Sequence, residues 1–316
     1  MKNLSSAVIG VGYLGQYHAE KHRNIEGINL TAVVDADLKR AQEIANRLDT
    51  QALSDYQSLL GKVDLVSIAS PTASHYQVAK DFLQAGSHVL VEKPITVTVA
   101  QAQELVEIAK EKNLVLQVGH LERFNPALLS LDQTELKPMF IESHRLAPFT
   151  PRGADVNVIL DLMIHDIDII LNIVDSEVKE IAASGTSVLS NDIDIANVRL
   201  AFENGCVANV TASRVSVKTE RKMRFFQQDH CISVDFQNKT LNTYQKGETE
   251  NAAGIPEIIK QESHFDNSDA IMAETEAFIK AIRNSSRPIV SGEDGKRALQ
   301  TAIRISELLK PTKKPI

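Results

Sequence analysis

The sequence predicts two domains: an α/β Rossmann domain with a doubly wound parallel sheet over residues 1–121, then an α+β domain with a mostly antiparallel, open-faced sheet over residues 122–316. Three observations point there. The chain's 316 residues are more than one core usually serves. Between Ala7 and Val118, short β-branched runs alternate with helix-period segments, the pattern of parallel strands joined by crossover helices. Beyond about Leu121 that rhythm gives way to runs of strands bounded by helices.

In the first half the expected strands are residues 7–9, 30–34, 65–69, 88–91 and 114–118. Amphipathic stretches at 38–48, 76–83 and 99–112 fill the gaps, the last with Thr98 placed to cap its start. In the second half, strands are expected at 140–146, 195–202 and 207–212, and helices at 271–282 and 296–309. Glu203-Asn204-Gly205-Cys206 reads as a hairpin turn, because Asn-Gly readily adopts positive φ. Residues 246–267, rich in Gly, Glu and Asn, are expected to be a long connection, and 310–316 a frayed tail.

Composition excludes several function classes. With 43% apolar and 24% charged residues the chain has a globular balance. Its 34 Lys and Arg against 41 Asp and Glu leave a net charge of −7, which argues against nucleic acid as a partner, since phosphate-backbone binding needs a basic footprint. No apolar run reaches the roughly 18 residues of a membrane span, and the first residues lack the apolar core of a signal peptide, so a cytoplasmic location is expected. Cys206 and Cys231 are too few for a thiolate zinc site and read as reduced thiols, with one bridge between them left open. No metal is expected.

The first strand runs into Gly10-Val11-Gly12-Tyr13-Leu14-Gly15, and a helix pattern follows. In a dinucleotide fold the first Gly makes the tight turn, the second lets pyrophosphate approach the backbone, and the third lets helix and strand pack closely. The phosphates then meet the unpaired N–H groups and dipole of the helix N-terminus. Asp35, twenty residues beyond Gly15, ends the second strand, where a carboxylate can bond the adenosine ribose and repel a 2′-phosphate. NAD is therefore expected over NADP, although Lys39 and Arg40 stand close enough to soften the choice. Loops at the carboxyl ends of parallel strands line the ligand crevice. That rule adds Ser70, Pro71, Thr72 and His75 after the third strand, and Glu92 and Lys93 after the fourth, to the cofactor contacts.

The glycine motif followed by Glu92-Lys93-Pro94 resembles the glucose–fructose oxidoreductase/inositol dehydrogenase (Gfo/Idh/MocA) family, and the likeness covers essentially the whole chain. The resemblance implies a Rossmann domain joined to an α+β domain whose sheet faces the active site, and a Lys93–Pro94 bond that can be cis. Lys93, driven to extended geometry by the proline, can hydrogen-bond a substrate hydroxyl and stabilise the alkoxide that forms as hydride leaves. In the stretch around residues 159–174, apolar residues follow helical spacing while Asp161, His165, Asp168 and Asn172 form a polar stripe. Buried polar stripes cost about 1–3 kcal/mol for each unpaired group, so this helix is expected to line a site. Asp161 and His165 match the family's Asp-x-x-x-His pattern, which implies His165 near the reacting carbon and Asp161 binding substrate or orienting the ring. An imidazole titrating near about 6.5 suits removal of a hydroxyl proton.

The run His120-Leu121-Glu122-Arg123-Phe124-Asn125-Pro126 is similar to that of family members acting on nucleotide-linked amino sugars. Arg123, Asn125 and Arg152 are expected substrate contacts together with Lys93, Asp161 and His165, and Arg145 and Arg214 are further basic candidates for a phosphate. Arg214, Lys218, Arg221, Lys222 and Arg224 form a basic cluster that either attracts a diphosphate or coats a strand. The resemblance implies hydride transfer between NAD and a secondary ring hydroxyl, with the 3-OH of a UDP-N-acetylhexosamine as the expected target. An inositol or free-sugar dehydrogenase, or a non-catalytic NAD-binding regulator, are the alternatives. It also implies a homodimer or homotetramer formed through the C-terminal sheet.

Overall fold

A computed structural model describes residues 3–131, 136–150, 156–250, 253–265 and 269–309. The chain divides into two compact units, 1–124 with 269–299, and 125–268 with 300–316. The sequence-based boundary at 121/122 falls close to the first division, and the return of 269–299 to the first unit is a feature that boundary does not include.

The first unit opens with β1 (Leu4–Ile9), α1 (Tyr13–Asn24), β2 (Ile28–Val34), α2 (Leu38–Leu48), β3 (Gln51–Leu53), β4 (Leu65–Ile68), α3 (Thr72–Gln84), β5 (His88–Glu92), α4 (Val99–Glu111) and β6 (Leu116–Gly119). Its strands run parallel in the order β3-β2-β1-β4-β5-β6, a doubly wound sheet whose direction of winding reverses between β1 and β4. All of β4 is buried, as are most residues of β1 and β5, which is why these strands read as continuous apolar runs. Asp37 caps α2 by accepting the Lys39 and Arg40 N–H groups. Thr98 caps α4 in a reciprocal box with Gln101, as its position predicts.

The second unit begins with the one-turn α5 (Pro126–Leu129), then β7 (Phe140–Leu146). A π-helical turn at Ile159–Met163 leads into α6 (Ile164–Val174). Strands β8 (Val178–Thr186), β9 (Ile195–Phe202), β10 (Val207–Ser213), β11 (Glu220–Gln227), β12 (His230–Asp235), β13 (Thr240–Glu250) and β14 (Pro256–His264) complete an eight-stranded sheet in the order β14-β13-β12-β11-β7-β10-β9-β8. It is antiparallel throughout except for β7 beside β10. One face is apolar: Ile141, Val198, Leu200, Val210, Met223 and Phe225 are buried there, and α6 contributes the fully buried Ile164, Ile167, Ile169 and Ile170 to the same unit's core. The expected hairpin turn lies between β9 and β10, with Gly205 at φ 88°.

The long connection expected at 246–267 is corrected by the structure: most of it is the end of β13 and all of β14, paired antiparallel. The edge strand β14 and the end of β13 are largely exposed, so backbone ladder bonds hold them with no apolar alternation to announce them. Beyond them, α7 (Ala270–Asn284) returns to the first unit and buries Phe278 and Ala281 against Leu65, Leu90 and Val115. The last helix, α8 (Gly292–Leu308), starts earlier than expected, and Lys296 on it bonds Gln103 of α4 at 2.7 Å.

Candidate functional site

In the first unit the glycine turn has the shape its spacing predicts. Gly10 sits at φ 84°, where a Cβ would lie 2.6 Å from the Ser70 backbone, and a Cβ on Gly15 would lie 1.8 Å from the Gly10 carbonyl oxygen. Both glycines are consumed by close packing of turn, strand and helix. Gly12 differs, for a Cβ there would meet nothing within 4 Å, and it is the N-cap of α1. The open space in front of Gly12, at the N-terminal turn of α1, is a cradle suited to a pyrophosphate.

Asp35 ends β2 as expected and is 8% exposed. Its Oδ2 accepts the Val11 N–H at 3.0 Å and its Oδ1 the Asp37 N–H at 2.9 Å, so the carboxylate ties the glycine turn to the β2 end. The Arg40 guanidinium lies 3.4 Å from both oxygens. An acid at the end of β2 beside the glycine turn would suit the hydroxyls of an adenosine ribose.

The loops after β4 and β5 are joined by His75. Its Nε2 lies 2.8 Å from the Ser70 carbonyl and its Nδ1 3.0 Å from the Pro94 carbonyl, and the ring is 1% exposed. Burial holds this imidazole below its usual range against the opposing pull of the two carbonyls and Glu92. Ser70 bonds Ser74 at 2.7 Å, and Pro71 and Thr72 stand at the start of α3. The Lys93–Pro94 bond is cis. Glu92, just before it, accepts a hydrogen bond from His18 Nε2 at 2.9 Å. Burial alone would raise the Glu92 carboxyl, but the His18 contact and the Lys93 charge hold it below the usual range.

In the second unit, Asp161 lies in the π-helical turn, and the wider turn places it differently from the regular helix expected on sequence grounds. The turn is opened by Asn157, whose Oδ1 accepts the Leu160 N–H at 3.1 Å. His165 and Asn172 are half-buried on α6, whereas Asp168 is 2% exposed. Sequence reasoning missed Asp166, which is buried and paired with Arg145 through two bonds of 2.8 and 3.0 Å. Arg145 is thus corrected from a phosphate candidate to half of a buried ion pair. Arg214 is corrected likewise: its Nε bonds Asp194 at 2.7 Å and its Nη1 the Val156 carbonyl at 2.6 Å. Three other members of the basic cluster are also ion-paired, Lys218 with Glu220, Lys222 with Asp235 and Arg224 with Glu142. The Arg145 and Arg214 pairs are buried, whereas Lys218, Lys222 and Arg224 are exposed, and surface pairs of that kind hold weakly.

Arg123 is buried in the first unit with Nη2 on the Ile289 carbonyl at 3.0 Å. In the second unit Asn125 uses both ends of its amide, donating to the Phe236 carbonyl at 2.9 Å and accepting the Ala127 N–H at 3.2 Å. Arg152 lies outside the described residues. Cys206 and Cys231 are free thiols. Among the described residues no helix is long and apolar enough to cross a membrane.

Comparison with known proteins agrees with this geometry. Residues 4–120 match an oxidoreductase family with an NAD-binding Rossmann fold (GFO_IDH_MocA), and residues 141–234 match the GFO/IDH/MocA C-terminal domain. UDP-N-acetylglucosamine 3-dehydrogenase from Acidithiobacillus ferrooxidans is 40% identical over 306 residues, 96% of this chain and 97% of the relative. A solved structure of that enzyme superposes with a TM-score of 0.91 at 38% identity, covering 98% of each chain. Myo-inositol 2-dehydrogenase from Thermotoga maritima is 27% identical, covering 92% of each. The glycine cradle, the Glu92-Lys93-Pro94 segment and the eight-stranded sheet thus have one common explanation: the chain belongs to the Gfo/Idh/MocA family of NAD(P)-binding oxidoreductases.

Proposed function

We propose that the protein is an NAD-linked dehydrogenase that converts the 3-hydroxyl of UDP-N-acetylglucosamine, or of a close UDP-hexosamine, to the ketone, or runs the reverse reaction. The observation that carries this is the 40% identity to a UDP-N-acetylglucosamine 3-dehydrogenase along 96% of the chain. In this reading Gly10, Gly12, Tyr13, Leu14, Gly15 and Asp35 hold the coenzyme, with the loops carrying Ser70, Pro71, Thr72, His75, Glu92 and Lys93 beside it. When bound, NAD supplies the hydride acceptor. The preference for NAD over NADP rests on Asp35, whose carboxylate would repel a 2′-phosphate.

Lys93 hydrogen-bonds the reacting hydroxyl through its ammonium and stabilises the alkoxide charge as the C–H bond breaks. His165 takes the hydroxyl proton on a ring nitrogen. Asp161 orients the substrate or the imidazole. Arg123 and Asn125, whose side chains already bond within their own units, serve the substrate by shaping backbone, and Arg152 is kept as a candidate phosphate contact. The proposal includes a cytoplasmic homodimer or homotetramer assembled through the eight-stranded sheet.

NADH formation is followed with UDP-N-acetylglucosamine, other UDP-hexosamines and inositols side by side. Turnover with the UDP-sugars alone supports the reading. Turnover with inositols alone replaces it with the polyol reaction named for the 27% identical relative. His165→Asn should lower kcat by about 10²–10⁴ while the Kd for NAD stays within about twofold. Unchanged turnover would remove His165 from the chemistry.

A further inference from the structure

Among the described residues, one cluster of titratable groups contains two members, His18 and Glu274, that the proposed chemistry does not use. In the first unit, ligand-type atoms of His18, Glu92 and Glu274 all lie within 4.8 Å of one another. Glu274, on the second turn of α7, is 0% exposed, and neither carboxyl oxygen has a hydrogen-bond partner. Its backbone carbonyl accepts the Gln117 Nε2 group at 3.1 Å, which pins this turn of α7 to β6. Space for the Glu92 carboxyl is made by Gly119 at the end of β6, where a Cβ would lie 2.9 Å from it. The groups on the elements packed against α7 are His18, Lys21 and His22 from α1, Glu92 from β5, and Glu122 and Arg123 from the turn after β6. Lys21 pairs with Asp269 at 2.6 Å and His22 bonds Ser67 at 2.9 Å, while His18 is bonded to Glu92.

Two carboxylates this close resist being ionised together, because they repel each other and Glu274 is sealed from water while the Glu92 side chain is only 13% exposed. Glu92 has the His18 bond and the Lys93 charge to favour its ionised form. Glu274 has neither, and its carboxyl is pushed well above the usual range, first by burial and then by the Glu92 charge. We propose that Glu274 is a neutral carboxylic acid in the folded protein, and that its proton lets Glu92 remain ionised beside His18 and Lys93. Glu274 is thereby a positioning residue for the strand end that presents Lys93. Its effect on turnover rests on the role given to Lys93 above, whereas its protonation does not.

The sign of the pH dependence follows from a raised carboxyl pKa. The stability it contributes is complete below the unfolded carboxylate value and is lost as pH rises through the folded value. Glu274→Gln replaces the acid by a neutral group of the same shape. Its melting temperature should equal or exceed that of the parent, by a margin that widens as pH rises above the unfolded carboxylate value of about 4.3. At neutral pH the infrared C=O stretch of a protonated carboxylic acid should be present in the parent and absent in the variant. The alkaline fall in kcat/KM should move to higher pH in the variant.

A variant that fails to fold, or a parent without that band, overturns the neutral acid. A stoichiometric divalent metal in the purified protein overturns it too, since the carboxyl would then be an ionised ligand. Loss of the band with an unmoved alkaline limb overturns the connection to Lys93, and does so even if the substrate is a polyol.

Discussion

Replacing each glycine of the nucleotide turn by alanine should separate the folding role of the motif from its binding role. At Gly15 the added methyl carbon would fall 1.8 Å from the Gly10 carbonyl oxygen, a backbone atom that no rotamer change can move. Either α1 or the turn must shift by more than an ångström, and overpacking of this kind costs about 1–3 kcal/mol or more. Gly10→Ala adds a left-handed φ of 84° to a 2.6 Å approach to Ser70. That conformation alone costs a non-glycine residue about 1–2 kcal/mol. At Gly12 the terms nearly cancel: φ is −69° with nothing within 4 Å, so alanine gains about 0.4–1 kcal/mol from a stiffer unfolded chain and loses a similar amount as the poorer N-cap. The Gly12→Ala protein should therefore melt with the parent while its Kd for NAD rises about 10- to 100-fold, or about 1.4–2.7 kcal/mol. The chain has no Trp, so NADH fluorescence can be titrated without an indole background, alongside calorimetric melting of the apo proteins. If Gly12→Ala binds NADH like the parent, or Gly15→Ala is as stable as the parent, the cradle assignment is wrong.

Three further outcomes follow from the polar ties. Asp35→Ala removes the acceptor of the Val11 and Asp37 N–H groups and releases Arg40, so the ratio of kcat/KM with NAD to that with NADP should fall at least about 10-fold; an unchanged ratio would show that Asp35 does not discriminate. Arg145→Met leaves Asp166 buried without its guanidinium and should cost about 3–5 kcal/mol, while Arg145→Met/Asp166→Leu should regain most of that in denaturant titrations. Asp194 is buried, yet the Ser190 hydroxyl, the Ser190 and Val188 N–H groups and Arg214 hold its carboxyl below the usual range. The stability it contributes is present above the unfolded value and is lost as pH falls through the folded one, so Asp194→Asn should melt lower than the parent near neutrality and show a shallower loss below about pH 4.

The first unit was legible because its physics is local. A strand buried on both faces must be an apolar run, as β4 is, and a phosphate-binding turn must place its glycines at fixed offsets from one strand and one helix. The second unit hides more. The end of β13 and all of β14 are largely exposed, and their register is set by the partner strand rather than by their own periodicity. The ion pairs Arg145–Asp166 and Arg214–Asp194 join residues about twenty positions apart, so a basic residue that looks solvated in sequence is neutralised by an acid that looks unrelated. The π-helical turn at Ile159–Met163 leaves no mark in apolar spacing, and it shifts Asp161 relative to His165. Glu274 is the extreme case, since its partner group on β5 is far away in the chain and only the return of α7 brings them together.

Histidine type is a poor guide to role in this chain. His18, His22 and His75 are each at most 1% exposed, and each joins two elements at the carboxyl side of the parallel sheet or just beneath it. His18 runs from α1 to Glu92 on β5, His22 from α1 to Ser67 on β4, and His75 from α3 to the carbonyls of Ser70 and Pro94. His22 is lowered to about 3 by burial and by the neighbouring His18 charge, so it stays neutral at any working pH and acts as a fixed hydrogen-bonding bridge. A ring sealed in this way cannot exchange a proton with a substrate, but it can hold a loop in its bound shape before the ligand arrives. That lowers the ordering cost, about 0.5–1.5 kcal/mol for each side chain that would otherwise be immobilised on binding. The half-buried His165 is different, with part of its surface open to solvent. Proton transfer needs that access, and this difference in burial, more than the residue type, is what makes His165 rather than His18, His22 or His75 the base to test.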